Sequence, residues 1–153
     1  MRATLVLLAC LAAAPAEARD KPQETTRGRL YVPVYSSISA GSGATRIDLA
    51  ATLSLRNLSP GAAVTVERVD YHDTAGKRVR AYPEKPAQLP PLGAYEAVIA
   101  ERDVAGGAGA KFLIDCSAPA GAPEPLAEAV MIGVHGAHSF SFVSVGRAAP
   151  RAE

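Results

Sequence analysis

Residues 47 to 57 read Ile-Asp-Leu-Ala-Ala-Thr-Leu-Ser-Leu-Arg-Asn and alternate without a break. Ile47, Leu49, Ala51, Leu53 and Leu55 fall on one side of an extended chain, and Asp48, Ala50, Thr52, Ser54 and Arg56 on the other. Wound as a helix, the same apolar residues would be scattered around the circumference. The segment therefore reads as a core strand with one buried and one wetter face, the pattern of an antiparallel sheet. Asn57, Ser59, Pro60 and Gly61 end it with turn-forming chemistry. A half-buried strand needs partners, and the flanking sequence supplies them.

Leu30 to Tyr35 is rich in β-formers but contains Pro33, which has no N–H for a ladder, so this strand is expected at an edge or with its free side at Pro33. Ser36 to Thr45 reads as a loop. Val64, Val66, Val69 and Tyr71 mark the next strand, and the change of spacing from two to three predicts a β-bulge near Glu67 and Arg68. His72 to Lys77 is a hairpin loop with Gly76 where positive φ is required, and Arg78 to Tyr82 is its return strand. Pro83, Pro86, Pro90 and Pro91 make a stiff connection suited to crossing between sheets. Tyr95 to Ala100, Lys111 to Asp115, Ala127 to Val134 and Ser139 to Val145 supply the remaining strands, with Ser117 to Pro125 as a loop. Seven to eight short strands without an amphipathic helix predict an all-β fold, a two-sheet antiparallel sandwich of immunoglobulin-like kind. A small β-barrel is the alternative.

The N-terminus has the form of an export signal. Arg2 gives a positive start, Leu5 to Ala14 an apolar run, and Ala16-Glu17-Ala18 a small-x-small cleavage site. The run is about half of the roughly 20 residues that a spanning helix needs. Residues 1–18 are thus expected to be a cleaved signal peptide, with no membrane span and a periplasmic or secreted product. The alternative is a lipid anchor at Cys10, since Leu7-Leu8-Ala9-Cys10 is similar to a lipobox, although only nine residues precede the cysteine. Residues 19–27 read as a flexible leader, 28–147 as one sandwich domain and 148–153 as a disordered tail. Loss of residues 1–18 leaves 15 basic and 14 acidic residues, a balance that argues against a nucleic-acid partner. It also leaves Cys116 as a single cysteine, so a buried inert thiol is expected and the core, not a disulfide, must hold the domain.

Chemistry-bearing constellations are few. The run from Ala105 to Lys111 superficially resembles a phosphate loop but lacks the Gly-x-x-x-x-Gly-Lys-Ser/Thr spacing and a following helix. A tight connection needing positive φ accounts for its glycines. Loops at sandwich ends are nonetheless where ligands are met, so Asp103, Gly106, Gly107 and Gly109, next to Glu101 and Arg102, are the ligand-binding candidates. His135 and His138 flank a turn and are the metal candidates, short of the three or four ligands zinc requires. No cofactor is implied. No Gly-x-Ser-x-Gly elbow is present, and Asp48, Arg56, Asp70 and Glu128 are explained by charge pairing on outer sheet faces.

Tyr31-Val-Pro-Val-Tyr-Ser36, Leu53-Ser-Leu-Arg-Asn57, Val69-Asp-Tyr71, Asp73-Thr-Ala-Gly76, Gly106-Gly-Ala-Gly-Ala110 with Phe112-Leu113, Glu124-Pro125, Glu128-Ala-Val-Met-Ile-Gly133 and Ser141-Phe-Val-Ser144 together resemble an uncharacterised bacterial family of exported domains of unknown function. Three positions depart from that pattern: Leu58 stands for a threonine, His72 for a tyrosine and Cys116 for a tryptophan, so no role is carried onto those side chains. The resemblance implies the extent of the fold and export, and no activity. The expected function is a non-catalytic binding or interaction module of the bacterial periplasm or envelope, recruiting an envelope protein or small ligand through its end loops or the Pro33 edge. The alternative is a small hydrolase with a site assembled from distant strands.

Overall fold

The computed structural model describes residues 24–83 and 85–151. Eleven strands run through them in the order β1 Thr25–Pro33, β2 Ser37–Ala40, β3 Thr45–Arg56, β4 Val64–His72, β5 Arg78–Tyr82, β6 Ala87–Leu89, β7 Ala94–Ile99, β8 Lys111–Pro119, β9 Leu126–His135, β10 His138–Val145 and β11 Arg147–Ala148. No helix occurs among the described residues. The strands form two antiparallel sheets packed face to face, and neither sheet closes into a barrel. The six-stranded sheet has the order β11-β1-β8-β4-β5, with β6 also on β4, and the five-stranded sheet the order β10-β9-β3-β2, with β7 also on β3.

Strand β3 is the axis of the second sheet, as its alternation predicts. Leu49, Leu53 and Leu55 are fully buried, as are Val64, Val66, Val69, Tyr71, Phe112, Ile114 and Met131 from the strands that face or flank it. Burying a side chain of this size contributes about 2 kcal/mol. Tyr71 and Phe112 pack ring to ring with centroids 5.3 Å apart. The ladder between β4 and β8 shifts register between Val66 and Arg68, so Glu67 is the extra residue of the expected bulge. That one insertion lets Val66 and Val69, three residues apart, both face the core. It also turns Arg68 and Asp70 outward beside Asp115 of β8.

Several expectations are revised. The chain is already a strand at Thr25, where Thr25 pairs with Pro119, so β1 starts inside the segment expected to be a leader. The expected loop at Ser36 to Thr45 holds β2, a four-residue strand that pairs with the start of β3. Three residues of the proline-rich connection form β6 on β4. β8 runs on through Cys116 to Pro119. The expected tail begins with Ala148 paired to Leu30, and the Ala149 amide donates to the Arg29 carbonyl. These additions are short strands or extensions of strand ends, too brief to carry a periodic signal of their own. Pro33 does keep its missing N–H away from β8, because the neighbouring Val34 amide is the one that donates to Ala110. Its edge is nevertheless closed, by β11 at Leu30 and Tyr31 and by the Ser144 hydroxyl of β10, which donates to the Pro33 carbonyl. The segments expected to be a signal peptide and lipid anchor, residues 1–18, lie outside the described residues.

Candidate functional site

The connection from β7 to β8 carries the sequence-predicted ligand residues and crosses back to the six-stranded sheet at one end of the sandwich. Gly106 is buried against Tyr71, so close that a Cβ there would lie 2.0 Å from the phenol oxygen. Gly107 takes a positive φ of 73°. Its amide donates to the Ser36 hydroxyl at 2.7 Å, and the Gly109 amide donates to the Thr74 hydroxyl at 3.0 Å. Thr74 in turn donates to the Gly106 carbonyl from both its hydroxyl and its amide, each at 2.9 Å. Lys111 points its ammonium at the Asp73 and Gly109 carbonyls. Asp103 accepts from Arg80 at 2.8 Å. The amides that would cradle an anion are therefore taken by protein acceptors. The geometry is that of a clamp joining the turn before β2, the β4–β5 hairpin and the glycine loop. Burial raises the Tyr71 phenol above its ordinary pKa, with Ser36 and the Gly106 backbone beside it.

His135 and His138 stand directly opposite each other across the β9–β10 hairpin, both exposed. Gly136, at φ 61°, takes the first central position of the two-residue turn between them, where a type II′ turn requires glycine. Among the described residues, no group of three or more His, Cys, Asp or Glu side chains is placed to hold a metal ion. His72 binds its own hairpin, with Nδ1 3.0 Å from the Gly76 carbonyl. Among the described residues, no serine hydroxyl is hydrogen-bonded to an imidazole. Cys116 faces the core, 5% exposed, and burial, with Asp115 nearby, pushes its thiol up to about 12.

The carboxylates expected in outward pairs are found there. Arg56 reaches Glu128 diagonally on β9 at 3.8 Å, whereas Asp48 meets Arg46 along its own strand at 3.1 Å and not across strands. On the other sheet Arg29 makes a two-pronged contact with Asp115 at 2.8 and 2.9 Å, and Arg68 bridges Asp115 and Asp70.

One exposed feature has no counterpart in the sequence-based expectations. β10 is the outermost strand of the five-stranded sheet, and its eight residues, His-Ser-Phe-Ser-Phe-Val-Ser-Val, pair with β9 without a register shift. The Gly146 amide donates to Ala127 on β9. By the alternation of an antiparallel ladder, residues 139, 141, 143 and 145 then turn their N–H and C=O groups to the open edge. Those residues also face outward, and on the same face of the sheet Val143, Val145, Ile132, Val134 and Val98 are each more than half exposed. Natural edge strands are commonly blunted by lysine, proline or a bulge, and β10 has none of these. Its signal in the sequence was the lack of charge and proline between residues 139 and 145.

Residues 27–149 match the model of a family described as "Protein of unknown function (DUF3124)". The chain belongs to this family. The DUF3124 match starts at the third residue of β1 and ends one residue past β11, so it takes in the sandwich from there through its closing strand. A Thermotoga maritima protein, solved as "Crystal Structure of Thermotoga maritima 1070", is similar to this DUF3124 domain with a TM-score of 0.46 and 10% identity, over 78% of this chain and 92% of that one. No curated protein matches the chain.

Proposed function

We propose that this DUF3124 domain is a non-catalytic interaction module of an exported protein of the periplasm or envelope, and that it takes up an extended segment of a partner protein by strand addition at β10. The observation that carries this reading is the open, uncharged and bulge-free β10 edge. An added strand would satisfy the free backbone groups of residues 139, 141, 143 and 145. Its outward side chains would extend the row formed by Val143, Val130, Thr52 and Val98, which are in cross-strand register. β-Branched or small uncharged residues fit there, and charged ones do not. Export is supported by the Arg2, Leu5 to Ala14 and Ala16-Glu17-Ala18 pattern alone.

The test is selection of extended peptides from a display library, followed by amide exchange. Bound peptide is expected to slow exchange at Ser139, Ser141, Val143 and Val145. The Ser141→Pro variant keeps every β9 bond, since that amide faces the open edge, and is expected to lose binding. Undiminished binding by a folded Ser141→Pro variant removes β10 as the recognition edge.

A further inference from the structure

The opposite face of the sandwich has a different character. On the outer side of the six-stranded sheet stand Arg27, Arg29, Arg68, Arg78, Arg147 and Arg151 against Glu67, Asp70 and Asp115, a surplus of three positive charges in a chain whose net charge is +1. The outer side of the five-stranded sheet has Arg46 and Arg56 against Asp48, Glu96 and Glu128. Charge is thus sorted between the two faces.

It is also sorted by depth. The side chains of Asp115 and Asp70 are only 7% and 6% exposed, whereas those of Arg27, Arg78 and Arg68 are 69%, 57% and 49% exposed. The carboxylates lie in the floor and bind guanidinium nitrogens of Arg29, Arg68 and Arg78; Arg29, 13% exposed, lies in that floor with Asp115, while the guanidinium groups of Arg27, Arg68 and Arg78 reach the outer layer. Lys111 adds nothing to that layer, because its ammonium is turned to loop carbonyls. From β11 to β5 the sheet spans four inter-strand steps, about 19 Å at the usual spacing. Arg29 and Arg68 meet at Asp115 and Arg27 and Arg151 at Glu67, while Arg78 on β5 and Arg147 on β11 extend the positive layer to the two sides of the sheet. Tyr31, 38% exposed and paired with Arg147, is the aromatic residue among them, of a type that settles at lipid headgroup level.

From this arrangement we propose that the outer face of the six-stranded sheet docks on an anionic phospholipid surface. A plane of exposed guanidinium groups over recessed carboxylates is complementary to a plane of phosphates, and arginine is suited to phosphate oxygens. The proposal is independent of strand addition at β10. With both in place, the domain would hold a partner strand on one side while resting on a membrane with the other.

The chain has no tryptophan, so a single Tyr31→Trp substitution reports on this face alone, and Val143→Trp in a separate full-length chain reports on the opposite one. With phosphatidylglycerol/phosphatidylcholine vesicles in 0.1 M NaCl, indole emission of the Tyr31→Trp chain is expected to shift to the blue and that of the Val143→Trp chain to stay unchanged. The Tyr31→Trp response should vanish on pure phosphatidylcholine and in 0.5 M NaCl, since such attraction is screened by salt. Adding Arg27→Gln, Arg78→Gln and Arg147→Gln to the Tyr31→Trp chain should weaken vesicle binding about tenfold or more; its emission without vesicles checks the fold. An unresponsive Tyr31→Trp chain, an equal response on neutral vesicles, or unweakened binding after the three arginine substitutions overturns the proposal. Equal protection of the indole in the Tyr31→Trp chain by polyglutamate at matched charge also overturns it, in favour of an acidic protein.

Discussion

Asn57 ends β3 with a buried side chain, 2% exposed, that binds two separate connections. Its amide nitrogen lies 2.8 Å from the Ala62 carbonyl, 3.0 Å from Pro90 and 3.3 Å from Leu89, and its carbonyl oxygen accepts from the Ser59 amide at 2.9 Å. The Asn57 backbone amide also donates to Gly93 at 2.9 Å. The β3–β4 and β6–β7 crossings at this end of the sandwich are therefore tied through one side chain. An amide has two protons, so the three acceptors share two bonds, and with the Ser59 bond about three are lost on truncation. At about 1 kcal/mol each, Asn57→Ala is expected to destabilise the domain by about 3 kcal/mol. For a domain of this size that is a fall of about 10 °C in Tm. Urea unfolding followed by circular dichroism should show a lower midpoint with an unchanged m value. Asn57→Asp keeps the acceptor for Ser59 but sets a carboxylate against three carbonyls. It should be less stable than Asn57→Ala at pH 7, with the gap narrowing in acid as protonation restores a donor. An Asn57→Ala variant within 1 kcal/mol of wild type would refute the reasoning, because solvated turns would then be replacing those bonds without loss.

Gly106→Ala places a methyl group 2.0 Å from the Tyr71 hydroxyl and 2.7 Å from the Ala110 Cβ, and is expected to cost about 2 kcal/mol. Adding Tyr71→Phe should recover part of that loss in a double-mutant cycle, because the closest clash is then removed and those with the ring Cζ and the Ala110 Cβ, both at 2.7 Å, remain. Asp115 is held below the usual carboxylate range, first by its hydrogen bonds from Arg29 and then by the positive charges of Arg29, Arg151 and Arg68, against the opposing effect of burial. A depressed carboxylate stabilises above the unfolded pKa of about 3.9 and loses that contribution as pH falls through its folded value. Wild-type stability should therefore decline below about pH 4. Asp115→Asn should be about 3 kcal/mol less stable at pH 7, where Arg29 loses its partner, and show a shallower acid decline in urea midpoints. Cys116, raised to about 12 by burial, should resist iodoacetamide at pH 8 in the native protein and react fully in denaturant, as read by peptide mass mapping.

Local pattern was enough to identify β3, its buried face and the bulge at Glu67, because the period of the pleat is written into adjacent residues and an extra residue breaks it visibly. The glycines at 76 and 136 were likewise legible as turns, since only the backbone φ mattered there. The candidate residues Asp103, Gly106, Gly107 and Gly109 were found by composition, but composition could not say that Ser36 and Thr74 take the amides of Gly107 and Gly109. Those partners lie 71 and 35 residues away. Pro33 does mark the side of β1 turned away from β8, but β1 is not an edge strand, because β11 and Ser144 cover that side, and β10 is left open instead.

The sequence alone thus determined an antiparallel all-β domain with a defined core face, through alternation and turn chemistry that act over a few residues. Which strand ends up outermost, which connections share Asn57, and which sheet gathers the arginines were decided only by the tertiary structure. Each depends on strand order across two sheets, and strand order is set by packing between segments far apart in the chain.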